Sequence, residues 1–270
     1  MSILWIRSAL FVPGNRPERF AKALASGADA VIIDFEDAVP PADKALAREH
    51  LQAFLKQNPD ARLLVRVNAA GTDEHEADLA LCRQQPGVSA VMLPKAESVG
   101  QVNHAAATGK PVWPIIESAL GVLAIGAIAS CKGVQRLTFG ALDLALDLGW
   151  KVGSPAVETL FDQTRFALLL HSRVNHLPPP LDSVYPNFED DAGLGAAMRR
   201  ARDMGMGGAL CIHPRQVPVV HAALAPSAEE LAWAHRVVSA AECGEAAFKV
   251  DGEMVDAPVL GRARRLLAMG

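Results

Sequence analysis

The sequence predicts an α/β chain folded as a (β/α)8 barrel with a C-terminal helical extension. Two observations predict it. Eight short apolar runs, each followed by a longer stretch, begin more than twenty residues apart, which leaves room for a crossover helix after each. Most of these runs also lack polar alternation, the pattern of strands covered on both faces.

The first run is "ALFVP" (9–13), and the "RPERFAKALASG" after it places Phe20, Ala23 and Leu24 on one helical face with Gly27 as a C-cap. "AVIID" (30–34) is the second, followed by "PADKALAREHLQAFLKQ", in which Leu46, Leu51, Phe54 and Leu55 form an apolar stripe. "LLVRVN" (63–68) and "AVMLPK" (90–95) come next. Between them "DEHEAD" (73–78) reads as the solvated start of a helix rather than a metal site. "VWPIIE" (112–117) and "RLTFGALD" (136–143) are the fifth and sixth runs. The long gap before "LDSVY" (181–185) holds a long helix and the "HLPPP" loop (176–180). "GALCIHP" (208–214) is the last strand, with His213 as a turn residue. Residues 1–225 are thus expected to form the barrel domain and 226–270 an appended arm, with "SAEELAWAHRVVSAAECGEAAF" and "APVLGRARRLLAMG" as its helices.

Composition narrows the function classes. Half of the 270 residues are hydrophobic and 21% are charged, which is ample material for a core. The net charge is −4 and the basic residues are dispersed, which argues against a dedicated nucleic-acid surface. Cys82, Cys131, Cys211 and Cys243 lie far apart without a CxxC pair, as in reduced, mostly buried thiols. "MSILWIRS" is too short for a signal peptide, and the uncharged run from Ser118 to Cys131 falls short of the roughly 18 residues of a membrane span. A cytoplasmic protein that does not enter a membrane is expected. Walker and GxSxG motifs are absent, and "GLGAAM" and "GMGGAL" lack the full dinucleotide fingerprint.

A barrel of this kind assembles its active site at the C-terminal ends of its strands. Asp34, Glu36 and Asp37 lie at or just past the second such end, Arg66 and Asn68 at the third, Lys95 at the fourth, Glu117 at the fifth and Asp143 at the sixth. Glu117 and Asp143 are one βα unit apart. Two hard oxygen ligands there suit Mg²⁺, and helix caps or Arg pairing are the alternative. Arg66 serves equally as an anchor for a carboxylate or developing oxyanion and as an interior salt bridge. At the mouth, water, cations and ligands can satisfy Asp34, Glu36 and Asp37, and which of the three faces inward is open.

Eight stretches in order, "LFVPGNRPERFAKA", "GADAVIIDFEDAV", "VRVNAAGT", "VMLPKAES", "PIIES", "FGALDL", "CIHPRQVPVV" and "GEMVDAP", resemble the citrate lyase beta-subunit-like family. That family is related to malyl-CoA and citramalyl-CoA lyases within the HpcH/HpaI aldolase/citrate lyase superfamily, and the resemblance spans Leu10 to Pro258. It implies a Mg²⁺-dependent carbon–carbon lyase on a TIM barrel that cleaves a 3-hydroxyacyl-CoA ester to acetyl-CoA and an oxo acid. By position it implies Glu117 and Asp143 as Mg²⁺ ligands and Arg66 as the contact to the substrate carboxylate or thioester oxygen, which leaves Asp34, Glu36 and Asp37 to orient Arg66, metal-bound water or Lys95 rather than to ligate. It further implies Phe11, Arg16 and Lys22 as contacts to coenzyme A, and Asp256 as a catalytic lid residue that reaches a neighbouring subunit. A homo-oligomer, trimer or hexamer, follows from that last role. From the sequence alone Asp256 is a helix N-cap. Two departures stand out: Ser118 replaces a Thr common in relatives, and Leu142 replaces a Glu common in citrate lyase beta subunits. The second leans towards stand-alone CoA-ester lyases. A class II pyruvate-type aldolase acting on free hydroxy-oxo acids and a subunit dependent on an acyl-carrier partner are the other expectations.

Overall fold

The computed structural model of the protein describes residues 6–241 and 248–269. Eight parallel strands close into a TIM barrel in sequence order: β1 (Ser8–Pro13), β2 (Ala30–Asp34), β3 (Leu63–Arg66), β4 (Val88–Leu93), β5 (Val112–Ile116), β6 (Thr138–Phe139), β7 (Leu181–Asp182) and β8 (Gly208–Cys211). Closure runs through β1 and β8, with Ala9 opposite Leu210 and Leu10 opposite Cys211. The lack of alternation noted in the runs has its cause here. Ala9, Ile32, Leu64, Met92, Trp113, Leu181 and Leu210 join in one cluster, while their neighbours Leu10, Val31, Ile33, Val65 and Val91 are equally buried. Small residues (Ala9, Ala30, Ala90) in the same cluster make room for Trp113 and Met92.

The crossover helices are α1 (Phe20–Leu24), α2 (Lys44–Gln57), α3 (His75–Gln84), α4 (Val99–Ala106), α5 (Ala119–Ala129), α6 (Ala141–Asp147), α7 (Pro155–Val174), α8 (Asp191–Met204) and α9 (Gln216–Leu224). Two faces differ from expectation. On α1, Phe20 and Ala23 are buried but Leu24 is exposed, because the helix stops after five residues. On α2 the buried stripe is Lys44, Ala47, Leu51 and Leu55, and Leu46 faces outward.

The sixth strand differs most. The expected run to Asp143 is a two-residue strand, and Gly140 is the N-cap of α6. Ala141, Leu144 and Ala145 are buried at helical spacing, so "ALDLALD" obeys a period of 3.6 rather than 2. Asp143 therefore sits in the first turn of a helix, not on a strand. The gap before β7 holds two helices, α6 and α7, followed by the Pro-rich loop.

The chain divides into two compact units after Ala223. The second unit contains α10 (Ala228–Ala241), an antiparallel hairpin of β9 (Phe248–Val250) and β10 (Glu253–Val255), and α11 (Ala257–Met269). The arm is not all helical, as the sequence had suggested. "KVDGEMV" turns at Asp251–Gly252, both at positive φ, the conformation that a two-residue hairpin loop requires. Part of the expected first arm helix, together with Cys243, lies outside the described residues. Ala234, Val237, Val255 and Ala263 form this unit's own core. Cys82, Cys131 and Cys211 are free thiols. Among the described residues no helix is long and apolar enough to cross a membrane.

Candidate active site

The C-terminal mouth of the barrel gathers charge around Arg66. Asp34, the last residue of β2 and fully buried, grips the guanidinium along one edge: its Oδ1 accepts from Arg66 Nε and its Oδ2 from Arg66 Nη2, both at 2.7 Å. The same carboxylate accepts the backbone N–H groups of Glu36 (2.9 Å) and Ala38 (3.1 Å), so it also ties down the loop after β2. Phe11 lies under the guanidinium, its ring centre 4.7 Å from Arg66 Cζ. Burial alone would lower the Arg66 pKa, but the charges of Asp34, Glu36 and Asp37 outweigh it and raise it. This edge-on pair fixes the cation in charge and orientation.

Glu36 is buried and bridges to the loop after β4, accepting from Lys95 Nζ at 2.8 Å through Oε1. Its Oε2 lies 3.1 Å from Arg66 Nη1, yet it is buried without accepting a hydrogen bond. Burial raises the Glu36 pKa, against the opposing pull of Arg66 and Lys95. Asp37 is mostly exposed and only 3.5 Å from Arg66. Of the three acids after β2, Asp34 and Glu36 face the mouth and Asp37 faces water.

Glu117 follows β5 directly and is buried. Its Oε1 accepts the backbone N–H of Lys95 at 2.7 Å. Lys95 reaches that geometry with φ of 46°, a left-handed conformation that costs a non-glycine residue free energy and aims both its N–H and its ammonium at acids. Burial, then the charges of Glu36 and Asp143, push the Glu117 pKa up to about 8. A Cβ on Gly140 would overlap the Glu117 carboxylate, so glycine is needed there for the close approach of the two loops. Asp143, on α6, is half-buried and acts on Glu117 through its charge.

The loops are braced from below. Lys44 donates all three ammonium protons at 2.6 Å, to the carbonyls of Phe35 and Glu36 and to Asn68 Oδ1. Asn68 in turn donates through its backbone N–H (2.8 Å) and Nδ2 (2.7 Å) to Asp78 Oδ2, and Arg48 holds Asp78 Oδ1 at 2.9 Å. Asp78 and His75 are thus buried, which corrects the reading of "DEHEAD" as a solvated helix start. The four-residue spacing from Glu74 to Asp78 was a signal for a shared cation, since Arg48 contacts both. Ser118 caps α5 by accepting from Gly121 N at 3.1 Å and donates to Glu97 at 2.7 Å. Ser183, at the end of β7, accepts from Ala141 N at 2.9 Å and seats α6.

The structure thus assembles Phe11, Arg66, Glu117 and Asp143 with Asp34, Glu36 and Lys95. Arg16 and Lys22 are exposed on the first βα unit, Arg16 paired with Glu18 at 2.7 Å. Asp256 caps α11 in the second unit, its Oδ1 accepting from Val259 N at 3.3 Å. Lys44 and Ser183 were absent from the expected site, whereas Lys95 stands at the mouth, as expected from its place at the end of the fourth run. The donor set around Glu117 is oxygen only, and Glu36 Oε2 is a buried oxygen lacking a donor. That chemistry fits a hard divalent cation such as Mg²⁺, which Glu117 and Asp143 could hold.

The profile of the HpcH/HpaI aldolase/citrate lyase family matches residues 7–214. A citrate lyase subunit beta-like protein of Mycobacterium tuberculosis is 40% identical over 96% of this chain and 93% of its own. A (3S)-malyl-CoA thioesterase of Cereibacter sphaeroides is 32% identical over 97% of this chain and 93% of its own. A crystal structure of CitE from M. tuberculosis with magnesium, acetoacetate and coenzyme A superposes with a TM-score of 0.88 at 38% identity, covering 98% of both chains. The carboxylates and guanidinium at this barrel mouth are therefore those of an enzyme that belongs to the HpcH/HpaI aldolase/citrate lyase family.

Proposed function

We propose that the protein cleaves the carbon–carbon bond of a 3-hydroxyacyl-CoA ester of the malyl, citramalyl or citryl type, yielding acetyl-CoA and an oxo acid. The observation that carries this reading is the pairing of Glu117 and Asp143 with a fixed Arg66 at one mouth, in a chain similar to CitE bound to magnesium, acetoacetate and coenzyme A. Glu117 and Asp143 would hold Mg²⁺, whose charge polarises the carbonyl that forms on the oxo acid.

The rest of the work falls to the chain. Asp34 occupies the Nε and one Nη2 proton of Arg66, and Nη1, which lies 3.1 Å from Glu36 Oε2 and 3.5 Å from Asp37 Oδ2, is the side that would exchange these acids for a substrate oxygen. From there Arg66 would stabilise the negative charge of the thioester enolate as it leaves. Phe11 keeps the guanidinium plane in place from below. Lys95, paired with Glu36, offsets the negative charge of the acid cluster. Arg16 and Lys22 supply cations on the first βα unit for the phosphates of coenzyme A. Asp256 of a neighbouring copy would take the hydroxyl proton as the carbon–carbon bond breaks and return one to the enolate carbon. That role requires a homo-oligomer, a trimer or hexamer.

The similarity to a malyl-CoA thioesterase favours one second reading, hydrolysis of the thioester to free coenzyme A and a hydroxy acid. Incubation with Mg²⁺ and each of the three esters separates them by product: acetyl-CoA with an oxo acid supports the lyase, and free coenzyme A supports the thioesterase. Pyruvate released only from free hydroxy-oxo acids would instead indicate an aldolase. Turnover by the isolated chain would exclude dependence on an acyl-carrier partner.

A further inference from the structure

One cluster of metal-ligating side chains lies apart from the acids just described. His75 opens α3, Glu76 follows it, and His104 lies in the last turn of α4. One ligand atom from each of the three lies within 4.8 Å of the others. His104 Nε2 is 2.7 Å from Glu76 Oε1, and the two imidazoles stack with centroids 5.8 Å apart at 30°.

His75 is the informative member. It is 3% exposed, and its Nδ1 lies 2.7 Å from the carbonyl oxygen of Asn68. A carbonyl only accepts, so Nδ1 carries the proton and Nε2 presents its lone pair. That Nε2 is buried and has no hydrogen-bond partner among the described residues. A ring nitrogen fixed as a lone pair by a backbone carbonyl on the other side is the arrangement that orients metal-bound histidine. Two imidazoles and one carboxylate suit a borderline transition ion, whereas the all-oxygen set near Glu117 suits a hard one. Glu76 and His104 are exposed and can swing inward, while buried His75 is the fixed point.

We propose that His75, Glu76 and His104 form a second metal site that takes Zn²⁺ or a similar divalent transition ion, with its fourth position open to water, and that pins α3 to α4. The site does not depend on the lyase reading.

The test uses the full chain, stripped of metal and returned to millimolar Mg²⁺ so that the oxygen site is filled. Calorimetric titration with Zn²⁺ should show a single equivalent bound by wild type and by Glu117→Gln. His104→Ala and Glu76→Ala change exposed residues and should keep the wild-type circular dichroism while weakening Zn²⁺ by about tenfold or more. Co²⁺ in the wild type should absorb in the visible as a four-coordinate ion, and that band should vanish in both variants. Absence of Zn²⁺ binding by wild type would leave a water as the donor to His75 and overturn the proposal. Equal Zn²⁺ affinity in both variants would overturn it as well.

Discussion

Glu117 carries the sharpest consequence at the scale of one residue. Its carboxyl, raised to about 8 from 4.5 by burial and by the charges of Glu36 and Asp143, holds a proton at neutral pH until a cation replaces it. In the folded, metal-free protein this proton is retained where the unfolded chain has already lost it. The contribution to stability is therefore fully present below about 4.5 and lost as pH rises to about 8. Mg²⁺ binding has the opposite slope, because it expels the proton: affinity should rise about tenfold per pH unit until about pH 8 and then level off. Calorimetry in buffers of different ionisation enthalpy should register close to one proton released per Mg²⁺ at pH 7. Binding without proton release would show that the carboxyl is already ionised. Asp34 illustrates a different logic. Buried and holding Arg66 by two hydrogen bonds, it keeps the cation in place and has no free lone-pair edge for a metal.

The elements show what could be read in the sequence and what could not. The apolar runs revealed every barrel strand, since strands buried on both faces leave an uninterrupted signature. Their ends were less legible. β6 shrank to Thr138–Phe139 because Gly140 must pass close to Glu117, a constraint set by a different strand. The arm hairpin was missed because its three-residue strands are too short for periodicity, although Asp251–Gly252 marked the turn. Lys44 was hidden by its type: an ammonium on a helix is ordinarily solvated, and only the fold brings three acceptors to it. The acids around Glu117 were legible because strand ends of a barrel converge, whereas the lysine bracing was not. Lys44→Met should strand those three acceptors and destabilise the protein by about 2–4 kcal/mol in urea unfolding. A loss under about 0.5 kcal/mol would mean that water replaces the ammonium without cost.

At the scale of the whole molecule, the proposed mechanism draws its residues from both compact units. Glu117, Asp143 and Arg66 belong to the barrel and Asp256 to the C-terminal unit. If Asp256 serves a neighbouring copy, two inactive variants should complement one another. Asp256→Ala mixed with Glu117→Gln, after dissociation and reassembly, should recover about a quarter of wild-type activity or less, and each alone should show almost none. No recovery in a mixed oligomer would place Asp256 in its own barrel. The central claim, that oxygen ligands at the barrel mouth hold the cation used in cleavage, is met most directly by one measurement. Acetyl-CoA formation from the best of the three esters is followed while Mg²⁺ is titrated, in wild type, Glu117→Gln and Asp143→Asn. Saturable Mg²⁺ dependence is expected in wild type, with a loss of about a thousandfold in both variants that is partly restored at high Mg²⁺. Turnover independent of Mg²⁺, or variants as fast as wild type, would contradict it.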